Sequence, residues 1–278
     1  MHFLRDLWSA RELLGNLVLR ETRGQYKRTV LGRLWSLMNP LALMLIYTFI
    51  FSMVFRMQPE PGDPSGLNIF PLWLLCGLLP WIFFSTALNS TASSLLSNAG
   101  LITKVYFPRG VLPLAAVGTA GMNWAIEMIV LVIALVIVGS NLWIWLPGVV
   151  LFMLLLGMFV SGLGWIFSIL TIYFRDVQYL LSIILQLWMY LTPIIYPVSL
   201  IQDLSDRIGG LFGSSITVLD IYAVNPMFHF VAAFRQLLYD NRWPDTVHLV
   251  TCVLWTAAAV VVGAIVFSRK DKKIAELV

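Results

Sequence analysis

Leu101-Ile102-Thr103-Lys104-Val105-Tyr106-Phe107-Pro108-Arg109-Gly110-Val111-Leu112-Pro113 lies between two long apolar runs, about Ile69 to Leu88 and about Leu114 to Val138. Each run is close to or beyond the roughly 20 residues that a helix needs to cross a bilayer. The stretch between them packs two cations, two aromatic rings and two prolines into a short space. Bilayer-length runs joined by a compact, aromatic-tipped polar loop decide the fold class. The chain is expected to be all-α and integral to a membrane, with much of its chemistry at the helix ends.

Composition agrees. Hydrophobic residues make up 59% of the 278 positions and charged residues only 12%, against about 25% charged in soluble domains. Mean hydropathy is +0.86. Cys76 and Cys252 both sit in apolar runs and are expected to be small packing residues rather than a disulfide or metal site. No cleavable signal peptide is expected, because the first apolar run begins near Met38, after a long cationic segment. The chain has no G-x-x-x-x-G-K phosphate loop. It is therefore expected to bind no cofactor, with any ATP and Mg held by a partner.

Outward from the loop, the chain divides into an interfacial segment, residues 1–36, and a membrane domain, residues 37–278. At 100° per residue, Leu4, Leu7, Trp8, Leu14, Leu17 and Val18 fall on one face of the first segment, and Arg5, Ser9, Glu12, Asn16 and Arg20 on the other. With seven cations, it is expected to lie in the headgroup plane, apolar face toward lipid. Asn39-Pro40 reads as a helix start, opening a first span from about Leu41 to Phe55 that Leu34, Trp35 and Leu37 extend backward. The second, about Ile69 to Leu88, is kinked by Pro80, and a polar stretch from Asn89 to Asn98 follows it. The third runs from about Leu114 to Val138. The fourth, about Leu146 to Tyr173, holds Gly157, Gly162 and Gly164, which let a neighbouring helix approach. The fifth runs from about Val177 to Ile195 and the sixth from about Val247 to Phe267. Residues 198–245 hold apolar pieces too short to span, Ile208 to Phe212 and Met227 to Tyr239, and are expected to form re-entrant or interfacial helices.

Six spans put both termini on one side. Of the 18 Lys and Arg residues, 14 fall there, including Lys104 and Arg109; Arg56, Arg207, Arg235 and Arg242 fall on the other. The positive-inside rule makes the cation-rich side cytoplasmic and residues 198–245 external. The net charge of +4 is then topology and lipid contact, not nucleic-acid binding.

Glu127 is the one acidic residue placed inside a span, a functional candidate by default. A hydrogen bond to Asn123, one turn earlier, is the alternative. Carboxylates elsewhere are scattered, and no Cys/His or Ser/His/Asp constellation is present, which argues against a membrane transferase of lipid-linked sugars. A passive channel or scaffold is the third class. Aromatic rings are plentiful. Tyr47, Phe51, Phe55, Trp81, Phe84, Trp188 and Tyr190 are the candidates for a surface on which sugar rings slide, against the commoner role of core packing.

Several stretches together resemble polysaccharide-export ABC transporter permeases, the family that exports lipid-linked O-antigen, capsule-like polysaccharide or wall teichoic acid. They are Val30-Leu31-Gly32-Arg33-Leu34-Trp35-Ser36-Leu37-Met38-Asn39-Pro40, Gly77-Leu78-Leu79-Pro80-Trp81, Lys104-Val105-Tyr106-Phe107-Pro108-Arg109 with Leu112-Pro113, Phe174-Arg175-Asp176-Val177, Thr192-Pro193-Ile194-Ile195-Tyr196-Pro197, and Asn225-Pro226 with Phe234-Arg235. The resemblance implies a homodimer in the bacterial cytoplasmic membrane, bound to two copies of a separate ATPase. The amino-terminal helix and the loop after the second span would contact that ATPase. The first and fifth spans would line the conduit, and the segment before the sixth would gate it. The substrate implied is an undecaprenyl-diphosphate-linked glycan, its diphosphate entering near Arg23, Lys27, Arg28 and Arg33. ATPase docking then falls to Lys104, Val105, Tyr106, Phe107, Pro108 and Arg109, with Tyr106-Phe107 as the apolar plug and Lys104 and Arg109 as flanking charges. The absence of Lys and Arg from the spans tilts the substrate toward a neutral or mixed polysaccharide over a teichoic acid.

Overall fold

The computed structural model describes residues 2–25, 27, 29–30, 32–56, 61–209 and 217–277, apart from the side chains of His2, Leu4, Arg33, Lys272, Lys273 and residues 275–277. Every regular element among them is helical. In order they are α1 (His2–Ser9), α2 (Arg11–Gln25), α3 (Trp35–Tyr47), α4 (Phe70–Ser97), α5 (Ala99–Ile102), α6 (Val111–Ile137), α7 (Leu146–Tyr173), α8 (Val177–Tyr190), α9 (Val198–Ile208), α10 (Val218–Val224), α11 (Pro226–Arg235) and α12 (Thr246–Leu277). A 3-10 turn, Gly32–Leu34, precedes α3; π-helical turns extend α3 through Thr48–Val54 and α11 through Gln236–Asp240. Five helices are long and apolar enough to cross a membrane: Trp35–Val54, Phe70–Ser97, Val111–Ile137, Leu146–Tyr173 and Thr246–Asp271. The shorter α8 is the sixth apolar segment.

Several sequence expectations are corrected. Asn39-Pro40 does not start the first span; α3 begins at Trp35 and carries Pro40 inside it. Apolar residues before the proline favour helix because backbone groups in hydrocarbon must bond internally, even though Pro40 leaves one rung of the ladder unmade. The polar stretch from Asn89 stays helical to Ser97, because its hydroxyls fold back onto carbonyls: Thr91 onto Leu88, Ser93 onto Ser90 and Ser94 onto Thr91. The fifth apolar segment is a shorter helix than the run to Ile195 implies: α8 has 14 residues and stops at Tyr190, and the chain through Pro197 is non-helical. The region from residue 198 onward opens with an 11-residue helix, α9, that ends at Ile208 rather than starting there. Much of the residue 208–212 piece lies outside the described residues.

The core is built around α4, packed against α6, α7 and α11. Phe83 stacks on Trp124 of α6 at 4.2 Å and Phe84 on Phe159 of α7 at 6.0 Å, and Phe159 in turn meets Phe230 of α11 at 5.7 Å. On the other side of α7, Gly162 and Gly263 of α12 face each other, and a Cβ on either would overlap the opposite backbone. Gly164 likewise leaves room for Thr91, whereas Gly157 faces open space. Two of the three glycines singled out in α7 thus permit close helix contact.

Candidate functional site

The loop after α4 is anchored at one end and free at its tip. Gly110 accepts a hydrogen bond from the Trp165 indole at 3.1 Å, and a Cβ there would strike the Phe3 ring of α1. Arg109 donates to the carbonyl oxygen of Asp271 and lies 3.8 Å from its carboxylate. Phe107 is buried with Leu7, Ile102, Trp165 and Phe267. Tyr106, by contrast, is 97% exposed, and Lys104 and Val105 are exposed beside it. The six residues 104–109 therefore divide. Lys104, Val105 and Tyr106 form the outward tip; Phe107 and Arg109 tie the loop to α1, α7 and α12; Pro108 is half-buried between. Adjacent aromatic residues on a turn point to opposite sides, so Tyr106 and Phe107 do not form one plug.

The amino-terminal segment is two helices rather than one, broken at Ala10. Much of its apolar face meets protein. Leu7 and Leu17 are buried, Val18 fills the space above Gly118, and Trp8 is 72% exposed. Polar contacts fix α2 on the bundle: Thr119 donates to Glu21 at 3.2 Å, Asn123 to Gln25 at 3.1 Å, and Arg20 to Asn98 at 3.2 Å. Arg23 and Lys27 are exposed on this segment. Arg28 and the side chain of Arg33 lie outside the described residues. The alternative of an Asn123–Glu127 hydrogen bond is not made, because Asn123 turns its amide to Gln25. Glu127 is buried where α3, α4 and α6 meet, lining a crevice with Trp35, Asn39, Thr86 and Trp124.

The aromatic candidates separate by burial. Trp81 and Phe84 sit in the core, with Trp188 at 6.3 and 5.3 Å from them. Their rings face no open surface, because α4 is enclosed by its neighbours. Tyr47 and Phe51 are half-buried on α3 and its extension, and Phe55 is 64% exposed. Tyr190 is 54% exposed at the end of α8, while Trp188 is half-buried.

Where α8 breaks, the structure shows what sequence reasoning missed. Residues 191–194 have left the helix, so their backbone acceptors need donors from elsewhere. Helix α11 supplies them from both ends. Asn225, its N-cap, accepts from the Trp188 indole at 2.8 Å and the Met227 N–H at 2.9 Å, and donates to Thr192 Oγ1 at 2.9 Å and Leu191 O at 3.3 Å. Arg235, its last residue, donates to the carbonyls of Pro193 and Ile194, each at 2.6 Å. Its guanidinium lies 3.7 Å over the Trp73 ring, and Gly77 leaves room for it. Arg235, an external cation and part of a family-like motif in the sequence, is 7% exposed. A lone arginine within the apolar run from Met227 to Tyr239 was the available signal.

Among the described residues no cluster of His, Cys, Asp or Glu has the makings of a metal site. Cys76 and Cys252 are both buried and free. The geometry offers an exposed loop tip, partly exposed aromatic rings on α3 and α8, and a braced break after α8.

Comparison with known proteins adds the context. The profile of the family described as ABC-2 type transporter matches residues 12–239. The chain is 32% identical over 279 residues to an O-antigen export system permease protein of Myxococcus xanthus, covering 99% of each. It is 30% identical over 270 residues to an O-antigen export system permease protein of Klebsiella pneumoniae, covering 96% of this chain and 95% of that one. It is also 23% identical over 267 residues to a polysialic acid transport protein of Escherichia coli, covering 92% of both.

Proposed function

The chain belongs to the ABC-2 type transporter family, and from that premise we propose that it is the membrane-spanning subunit of an ATP-driven polysaccharide exporter. The observation that carries this reading is identity of 30% or more, over nearly the whole length, to proteins named as O-antigen export permeases. The chain's own part is passage and coupling, while ATP and Mg belong to a separate ATPase. The cation-rich end, with both termini, faces the cytoplasm of a bacterial inner membrane.

Lys104, Val105 and Tyr106 are the grip for the ATPase, because they alone among residues 104–109 are fully on the surface. Phe107 and Arg109 carry the push inward, to α1, α7 and α12. The substrate is a lipid-linked, O-antigen-like glycan on undecaprenyl diphosphate. Its diphosphate is met by the cations Arg23 and Lys27, with Arg28 and Arg33 from the adjoining sequence. Two copies of the chain enclose the conduit with the open faces of α3 and α8, which present Tyr47, Phe51, Phe55, Trp188 and Tyr190. Trp81 and Phe84 support that wall from behind. Reconstitution with its cognate ATPase is the test. ATP-dependent movement of lipid-linked glycan across the vesicle membrane, absent without the permease, is the expected result. Glycosyl transfer by the purified chain alone, with no ATP-dependent movement, would replace this reading with a membrane transferase.

A further inference from the structure

At the end of the bundle opposite the amino-terminal helices lies a cavity of about 570 Å³, within the range of small-molecule sites. The loop before α4 and the helices α9, α11 and α12 surround it. Its polar wall includes Asp63, Gln202, Arg235, Asp240, Arg242 and His248; Trp73, one face of which Arg235 covers, and Phe228 add apolar surface.

The charges on this wall cancel. Arg242 lies 3.6 Å from the Asp240 carboxylate and 3.3 Å from Asp245, just outside the cavity. Arg235 and Asp63 balance each other formally. An anion gains no net attraction here, and neither does a cation. What the wall offers is hydrogen-bonding capacity not yet used. Asp63 and Gln202 are exposed and make no side-chain hydrogen bond among the described residues.

The two histidines add a directed acceptor. His229 and His248 approach at 2.8 Å through their Nδ1 atoms, and His229 Nε2 lies 2.7 Å from the Ala223 carbonyl. That carbonyl only accepts, so His229 Nε2 carries a proton. In the neutral ring its Nδ1 then accepts, and His248 Nδ1–H donates. His248 Nε2 is left as an acceptor. Burial holds His229 below its usual range, which keeps this arrangement at neutral pH.

A net-neutral wall of open donors and acceptors beside apolar surface matches a polyhydroxylated ring better than an ion or a lipid tail. We propose that this cavity is a saccharide site that holds one neutral sugar residue of the glycan at the outer face as the polymer leaves. The assignment rests on the polysaccharide-export reading and adds to it a stopping point beyond the conduit. A sugar held beside α9 and α11 would brace the segment that packs on the break in α8.

The test uses the full-length permease in nanodiscs without its ATPase, with saturation-transfer NMR as readout. The probes are neutral oligosaccharides of mannose, galactose and rhamnose, with a galacturonate trimer and glycerol phosphate as charged probes. Saturable binding of at least one neutral oligosaccharide is expected. It should weaken at least tenfold in the double variant Asp63→Asn/Gln202→Ala, whose two exposed side chains are dispensable for folding. Asp203→Asn, on α9 but off the cavity, should leave it unchanged. Absence of saturable neutral binding, binding unaltered in the double variant, or tighter binding of a charged probe would overturn the proposal. Export by the wild-type pair is scored separately. Export with unaltered sugar binding in the double variant removes the site and leaves the function. Sugar binding lost in the double variant, in a pair that moves no polysaccharide, does the reverse.

Discussion

Helices α4 and α7 and helices α3 and α8 are all strongly apolar but held very differently. In the apolar window of Phe70–Ser97, 78% of residues are buried within the subunit, against 6% in Trp35–Val54. Helix α4 has stacked rings, small residues and a complete ladder apart from Pro80. Helix α3 carries a proline and a π-helical half, and α8 stops after 14 residues with Tyr179, Leu180, Ile183, Leu187 and Tyr190 all exposed. Lipid tails are as apolar as leucine, so burial in a membrane protein reports packing rather than escape from water. The contrast teaches a division of labour: a packed scaffold of α4, α6, α7 and α12, and a working surface of α3 and α8 that the subunit leaves uncovered.

That division can be broken first at the scaffold. Gly162→Leu forces a side chain into the backbone of α12, and loss upward of about 3 kcal/mol is expected, read as collapse of yield and thermal stability in detergent. Gly157→Leu, in the same helix but facing open space, should be tolerated. Equal damage from both would show that α7 is not the close-packed element. Next comes the hinge between the two regions. Arg235→Met leaves two backbone carbonyls without donors, and a cost of about 2 to 5 kcal/mol follows from two charged hydrogen bonds lost in a buried site. Arg235→Lys should recover only part of it, because a single ammonium cannot reproduce the planar fork. Full stability of Arg235→Met would remove the bracing role.

Weaker effects belong to the surfaces. The double change Lys104→Glu/Tyr106→Ala alters only the exposed tip, so stability should move by less than about 0.5 kcal/mol. Stimulation of the ATPase should fall about tenfold, equivalent to ~1.4 kcal/mol of docking energy. Unchanged stimulation would move the docking site elsewhere. The smallest effect is expected at the rim. Burial raises the Asp240 carboxyl from its ordinary 3.8 to about 6, with Arg242 pulling the other way. A raised carboxyl favours the folded state when protonated, so stability should rise as pH falls from about 6 toward 4 and be lowest above 6. Asp240→Asn should flatten that dependence and gain about 1 kcal/mol at pH 7.5, after discounting for solvent screening. Melting temperatures of both proteins across that range provide the check.

Much of the scaffold was legible in the sequence because its signals are local. Helix α7 runs from Leu146 to Tyr173, as its apolar run does, since Pro147 opens it and Arg175-Asp176 follows it. Asn225-Pro226 carries a local start signal for α11, with the asparagine side chain as cap and proline at the first turn. The early end of α8 was hidden because apolarity continues to Ile195 past the point where the helix stops. Which of Tyr106 and Phe107 turns inward is set by Leu7, Trp165 and Phe267, from three other helices. Arg235 escaped notice because its partners are backbone carbonyls about 40 positions away, which carry no side-chain signature. Local pattern thus gave the scaffold, while the working parts depend on contacts that only the folded chain makes.

The division of labour is tested most directly by comparing two exposed positions, Leu187 on α8, 60% exposed, and Val261 on α12, 56% exposed. A photo-crosslinking amino acid is placed at one or the other, and the permease with its ATPase is illuminated during ATP-driven transport of lipid-linked glycan. The account predicts glycan adducts at position 187 that require ATP, and only lipid adducts at 261. Glycan captured equally at both, or at 261 alone, would contradict it.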